Sequence, residues 1–160
     1  DGALDYDAET LKSFDFVVAS IHSGLSMDKT KATERLITAI ANPYTTILGH
    51  MTGRILLQRV GYPVDYEAII NACAEFGVII EINSHPKRLD IDWRWVHKAL
   101  DKGLTLSINP DAHEIAGYQD MYYGVCVGRK GGLTKEQTLN AWSLDEVTQY
   151  FENRKKQIPG

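Results

Sequence analysis

The chain has 160 residues, 44% of them apolar and 24% charged, with a formal charge of −4. That length supports one ordinary domain with its own core, the composition excludes a disordered or fibrous chain, and no apolar stretch is long enough to span a bilayer. The acidic balance argues against a broad nucleic-acid-binding face, while leaving room for a small basic track beside a pocket that holds cations.

In chain order, "FDFVVASIHS" (14–23) is rich in Phe and Val and predicts a first strand. "DKTKATERLITAIAN" (28–42) spaces Ala32, Leu36, Ile37 and Ile40 as one helix face. "TTILGH" (45–50) predicts a second strand, and "RILLQRVGY" (54–62) a short helix stopped by Gly61 and Pro63. "DYEAIINACAEFG" (65–77) is a helix with Asp65 as N-cap and Gly77 as its C-terminal glycine. "VIIEINS" (78–84) predicts a third strand, "DWRWVHKALDKG" (92–103) a helix capped by Asp92, and "LTLSINPDA" (104–112) a fourth strand. "YQDMYYGVCVGRKGG" (118–132) predicts a helix with a glycine-rich end. "SLDEVTQYFENRKK" (143–156) predicts a last helix with Ser143 and Glu146 as a capping box, and the tail "RKKQIPG" (154–160) reads as basic and frayed.

Strands alternating with helices predict an α/β domain with a parallel sheet. One face of that sheet turns polar: Glu81 and Asn83 alternate with Ile80 and Ile82, and Ser107 and Asn109 with Leu106 and Ile108. An open sheet covered by helices on both sides is apolar on both faces. A polar inner face near the strand ends fits a barrel with its functional groups on the C-terminal rim. Cys73 and Cys126 lie in apolar surroundings without a CxxC spacing, and both read as reduced core residues of a cytoplasmic protein. The chain starts at Asp1 rather than Met and shows no signal peptide, which points to a processed or excised piece.

Four of the five histidines, His22, His50, His85 and His113, fall at the ends of predicted strands; His97 lies within a helix. A single histidine at such a place is more often solvated or hydrogen-bonded than a ligand. Four at equivalent ends, one of them two residues from Asp111, form the donor set that zinc, manganese and iron take. His85 precedes Pro86 and reads equally well as a turn residue. By themselves these residues reach a metal-binding α/β domain and no further.

"VVASIHS", "ILGHMTGR", "EINSHPKRLDIDWRW" and "SINPDAH" together resemble the PHP (polymerase and histidinol phosphatase) domain, in the version found at the C-terminus of bacterial family X DNA polymerases. The resemblance runs along nearly the whole chain. It implies the C-terminal part of a distorted (β/α)7 TIM-like barrel, with residues 1–160 a single domain and the N-terminal half of the barrel lying outside this sequence. An early His-x-His, a further Asp and His, and a Glu expected in that half are not in the chain. A half barrel would expose two sheet edges. The resemblance implies two or three divalent metal ions, Zn, Mn or Fe, held here by His22, His50, Asp111 and His113, with His85 outside the ligand set. Asp111 and His113 would act in catalysis through the metal-bound water.

Arg54 and Ser23 are candidates for contact with a substrate phosphate, Arg54 reading equally as a helix-surface charge. Glu81, Asn83 and Asn109 could orient the imidazoles; Glu81 reads as well as a buried carboxylate paired with an arginine. Lys87, Arg88 and Arg94 read as a solvated face before a DNA track, and Trp93 and Trp95 as packing residues. The implied activity is phosphoester hydrolysis: 3′–5′ exonuclease and DNA-end processing, with DNA and an upstream polymerase domain as partners and no membrane. The alternatives are a histidinol-phosphatase-like small-molecule phosphatase and a non-catalytic PHP domain that supports a polymerase. With part of the ligand set absent, the 160-residue piece alone is expected to be inactive.

Overall fold

A computed structural model describes residues 1–158. The elements are α1 (Ala8–Ser13), β1 (Val18–Ala19), α2 (Lys29–Ala41), β2 (Ile47–Leu48), α3 (Tyr66–Phe76), β3 (Ile79–Asn83), α4 (Trp93–Asp101), β4 (Leu106–Asn109), α5 (Met121–Lys130) and α6 (Leu144–Lys156), with short 3-10 turns between β4 and α5 and between α5 and α6. The sheet is all parallel and four-stranded, ordered β1-β2-β3-β4 as in the chain. Successive strands joined by helices and laid side by side in chain order make a segment of a β/α barrel. No helix among the described residues is long and apolar enough to cross a membrane.

The helices begin where their capping chemistry lies. The side chains of Asp28, Asp65 and Asp92 accept backbone N–H groups of the first turns of α2, α3 and α4, and Ser143 and Glu146 form the expected capping box. Gly77 closes α3 in the left-handed conformation, φ +63°. Of the basic tail, Arg154, Lys155 and Lys156 form the last turn of α6 rather than fraying, and Pro159 and Gly160 lie outside the described residues.

Leu48, Ile80, Ile82, Leu106 and Ile108 pack with Ala32, Leu36 and Ile40 of α2, Ile69, Ile70 and Cys73 of α3, and Val96 and Ala99 of α4. That is the main core, between sheet and helices. Ile47 and Ile79, on the other face, pack with Phe151 of α6 and Leu139. Arg154 of α6 donates to the carbonyls of Phe76, Gly77 and Thr45, just before β3 and β2. Helix α6 therefore covers the N-terminal end of the inner face, and the C-terminal end of that face keeps its polar residues.

Four expectations are corrected. Residues 54–62 form no helix: Ile55 and Arg59 pair in a tight antiparallel turn. A lone nine-residue helix is marginal without an apolar face to bury, and here Leu57 and Val60 point to solvent. The paired strands are shorter than the apolar runs, because pairing ends where the neighbour's backbone diverges. Cys73 is buried as expected, but Cys126 is exposed on α5. The outer edge of β4 is not open: the Asn140 side chain accepts from Ile108 N–H (2.7 Å) and donates to Ile108 C=O (2.9 Å), in place of a further strand. The six-residue helix α1 was not foreseen, although Asp7 caps it through Thr10.

Candidate metal centre

The site is built from the C-terminal ends of β1 to β4. At its base is Glu81, buried on β3. Its Oε2 accepts the backbone N–H of His50 (2.6 Å) and an Asn83 amide hydrogen (3.3 Å), and Oε1 accepts from Asn109 Nδ2 (2.7 Å). Asn83 also donates to Asp111 Oδ2 at 3.2 Å. Register places these groups together, since Glu81 pairs with Ser107 and Asn83 with Asn109 on one face. Burial pushes the Glu81 carboxyl above its ordinary range, against the pull of its three donors. The partners are two amides and a peptide N–H; the arginine considered from sequence is not among them.

His50 follows β2 and is buried, with φ at +20°. The turn after it is held by Asp90, which is fully buried and accepts from Thr52 N–H (2.9 Å) and Oγ1 (2.8 Å). The His50 ring lies edge-on to His22, with centroids 5.1 Å apart and planes at 74°. Burial, then the positive charge of Arg88, lowers the His50 pKa and favours the neutral imidazole, the form that binds metals. His50 Nδ1 is buried with no hydrogen-bond partner among the described residues. A buried ring nitrogen without a partner is costly, and one that presents its lone pair would be satisfied by a cation.

His22, exposed beyond β1, has Nε2 3.3 Å from Ser20 Oγ. Asp111 has a left-handed backbone, φ +53°, a strained conformation of the kind that collects at functional sites. Its Oδ2 receives Arg88 Nε at 3.0 Å as well as Asn83, while Oδ1 takes no hydrogen bond among the described residues. His113 Nδ1 lies 2.7 Å from the Asp111 carbonyl oxygen. A carbonyl only accepts, so Nδ1 carries the proton and Nε2 presents its lone pair outward.

The fold thus brings His22 beside His50 and joins the His50 backbone, through Glu81 and Asn83, to Asp111, with His113 tied to the Asp111 backbone. No three His, Cys, Asp or Glu side chains among the described residues close into a finished cation cage. The donor types nonetheless fit a divalent ion: imidazole rings, that of His50 favoured in its neutral form, one carboxylate oxygen left open, and a buried nitrogen without a partner.

Two candidates sit differently. Arg54 reaches the rim, but its guanidinium donates to the carbonyls of Arg88 (2.8 Å) and Leu89 and lies 3.9 Å from Asp92. The Ser23 carbonyl and hydroxyl both receive Arg35 of α2, at 2.8 and 3.4 Å. His85 forms a turn, its Nδ1 accepting Lys87 N–H. Arg88 is the residue whose place the sequence did not disclose; its approach to Asp111 depends on the 85–90 turn folding back, which no periodicity encodes.

No family model matches the chain. It is 39% identical over 152 residues, 95% of its length, to the DNA polymerase/3′-5′ exonuclease PolX of Bacillus subtilis, where it aligns with the C-terminal part. Over its whole length it is 31% identical to a probable phosphatase of Caldanaerobacter subterraneus and 30% identical to one of a Thermoanaerobacter species. The chain belongs to the PHP family. The chain spans 27% of the length of the Bacillus polymerase and 64% and 66% of the lengths of the two phosphatases. The aligned PHP stretch includes all four candidate ligands and the Glu81–Asn83–Asn109 network behind them.

Proposed function

We propose that this chain is part of a divalent-metal-dependent phosphoesterase that trims DNA 3′ ends. A phosphoesterase-type PHP module is the coarser statement supported by both kinds of relative. The observation that carries the finer one is the pairing of His22 with His50, the latter holding a buried unpartnered Nδ1, beside an Asp111 carboxylate with one open oxygen.

His22, His50, Asp111 and His113 would hold the metal. Bound there, divalent ions supply an acidified water and neutralise charge on phosphate oxygens. The chain's own residues do the positioning. Glu81 fixes the backbone at His50, Asn83 and Arg88 fix Oδ2 of Asp111, and the Asp111 carbonyl fixes the His113 tautomer. Arg88 also places a guanidinium where a substrate phosphate would approach the carboxylate.

Calorimetric titration of the chelator-stripped chain with Mn²⁺ or Zn²⁺ should show binding that Asp111→Asn weakens by roughly tenfold or more, as loss of a charged ligand does. In the longer protein that carries this segment, the same substitution should abolish release of nucleotides from a 3′-labelled oligonucleotide and leave nucleotide addition intact. Unchanged 3′ trimming removes Asp111 from the chemistry. The probable phosphatases favour a second reading, hydrolysis of a small phosphomonoester; a preference for p-nitrophenyl phosphate over the oligonucleotide would select it.

A further inference from the structure

The turn that replaced the expected helix at 54–62 carries its apolar side chains outward. Leu57 and Val60 are fully exposed, and Leu56 is partly so. Isolated exposed apolar residues are ordinary, but these stand on a braced support. Ile55 N–H donates to Arg59 C=O (2.9 Å) and Arg59 N–H to Ile55 C=O (2.7 Å). Leu56 N–H donates to Lys87 C=O (2.6 Å), and Arg59 Nη2 to Gly53 C=O (2.7 Å). Leu57 itself has φ +63°, a region that suits glycine or asparagine and strains leucine. A strained, rigidly held leucine with nothing packed on it is a presented side chain.

The turn adjoins the candidate metal centre. Leu56 is bonded to Lys87, the next residue is Arg88, and Arg88 forms an ion pair with Asp111. Arg88 also reaches back to the Arg54 carbonyl at 3.5 Å. Of the cations on this turn and the neighbouring 85–88 turn, Arg54 and Arg88 face Asp92 and Asp111, while Arg59 and Lys87 are exposed and pair with no carboxylate among the described residues. Apolar tips flanked by cations match a polyanion that has apolar faces, namely a nucleic acid strand with unstacked bases.

We propose that the 54–60 turn is a wedge for single-stranded nucleic acid: Leu57 and Val60 pack on the terminal bases, and the basic residues beside them meet the phosphates. Aliphatic side chains inserted at base steps unstack them, and stacking platforms with basic flanks bind single strands without sequence preference. The inference rests on the DNA reading above and names how that substrate is held: the wedge lifts the last base off its neighbour, so that its phosphodiester turns toward His50 and Asp111.

The test is fluorescence anisotropy of a 5′-labelled single-stranded oligonucleotide with the whole chain, at several salt concentrations. Leu57→Ser with Val60→Ser should weaken binding roughly tenfold at every salt concentration, because the packing that is lost is apolar and salt does not screen it. Lys87→Gln should lower the salt slope by roughly one ion's worth. The double variant replaces only exposed side chains, so its circular dichroism and Mn²⁺ titration should match the parent chain. No oligonucleotide binding by the parent, or equal binding by the double variant, overturns the wedge. So does a change from dimer to monomer in the double variant with DNA affinity unchanged, which would assign the tip to protein contact. Failure of the parent to bind Mn²⁺ alongside normal DNA results would instead sink the phosphoesterase reading and leave the wedge standing.

Discussion

Glu81 is the residue on which the arrangement of the rim turns, and two substitutions separate its hydrogen bonding from its charge. In Glu81→Ala the His50 N–H loses its partner outright, while Asn83 keeps Asp111 and Asn109 keeps Ser107 (3.3 Å). An orphaned buried donor costs about 1–3 kcal/mol, and a lost hydrogen bond to a charged acceptor about the same. Removing a carboxylate that burial already disfavours offsets part of the total, leaving a net destabilisation of about 3 kcal/mol. In Glu81→Gln the amide oxygen can stay at the Oε2 position and keep His50 and Asn83, while its amino group faces an Asn109 amide able to turn its oxygen around. That variant should lose only about 1 kcal/mol. Urea unfolding at neutral pH, followed by tryptophan fluorescence and far-ultraviolet circular dichroism, reads both values, with the slope in urea unchanged. A Glu81→Ala chain as stable as the parent would refute the hub. A Glu81→Gln chain as damaged as the alanine variant would show that charge, rather than hydrogen bonding, holds the rim.

Asn140→Ala should cost about 1–2 kcal/mol for its paired hydrogen bonds to Ile108, and should raise self-association in light scattering by uncovering the β4 edge. Gly124 in α5 lies where an added Cβ would come within 2.5 Å of Ser84 Cβ; Gly124→Ala should therefore destabilise by about 1–3 kcal/mol in thermal melts, as overpacking does. Ellman's reagent should label one thiol per native chain, the exposed Cys126, and reach Cys73 only on unfolding, because Cys73 is buried and its pKa is pushed up to about 12. Fast labelling of both would contradict the packing of α3.

What the sequence disclosed and what it hid divide along the range of the interactions. Caps at Asp65, Asp92 and Ser143 were legible because each involves residues two or three apart. The polar stripe Glu81–Asn83 and Ser107–Asn109 was legible because strand faces alternate. The turn at 54–60 was not: its apolar spacing imitates a helix, and its anchor to the rest of the fold is the bond from Leu56 N–H to the Lys87 carbonyl, distant in the chain. Strand lengths were overdrawn for the same reason, since an apolar run marks burial and not pairing. At the site, the neighbouring placement of His22 and His50 was anticipated from strand ends. The ion pair between Arg88 and Asp111 spans 23 positions and two turns, and required the fold.

The two borders of the sheet are unequal. Asn140 seals the β4 side with its amide, whereas β1 is a two-residue border strand next to exposed Phe14, Phe16 and Val18. Any additional strand, whether from the same polypeptide or supplied as a separate fragment, can dock on one flank alone and must lie beside β1. Reconstitution from split pieces would therefore be polar, with a single allowed order of assembly, and a peptide aimed at this vacancy would be a selective handle on the protein.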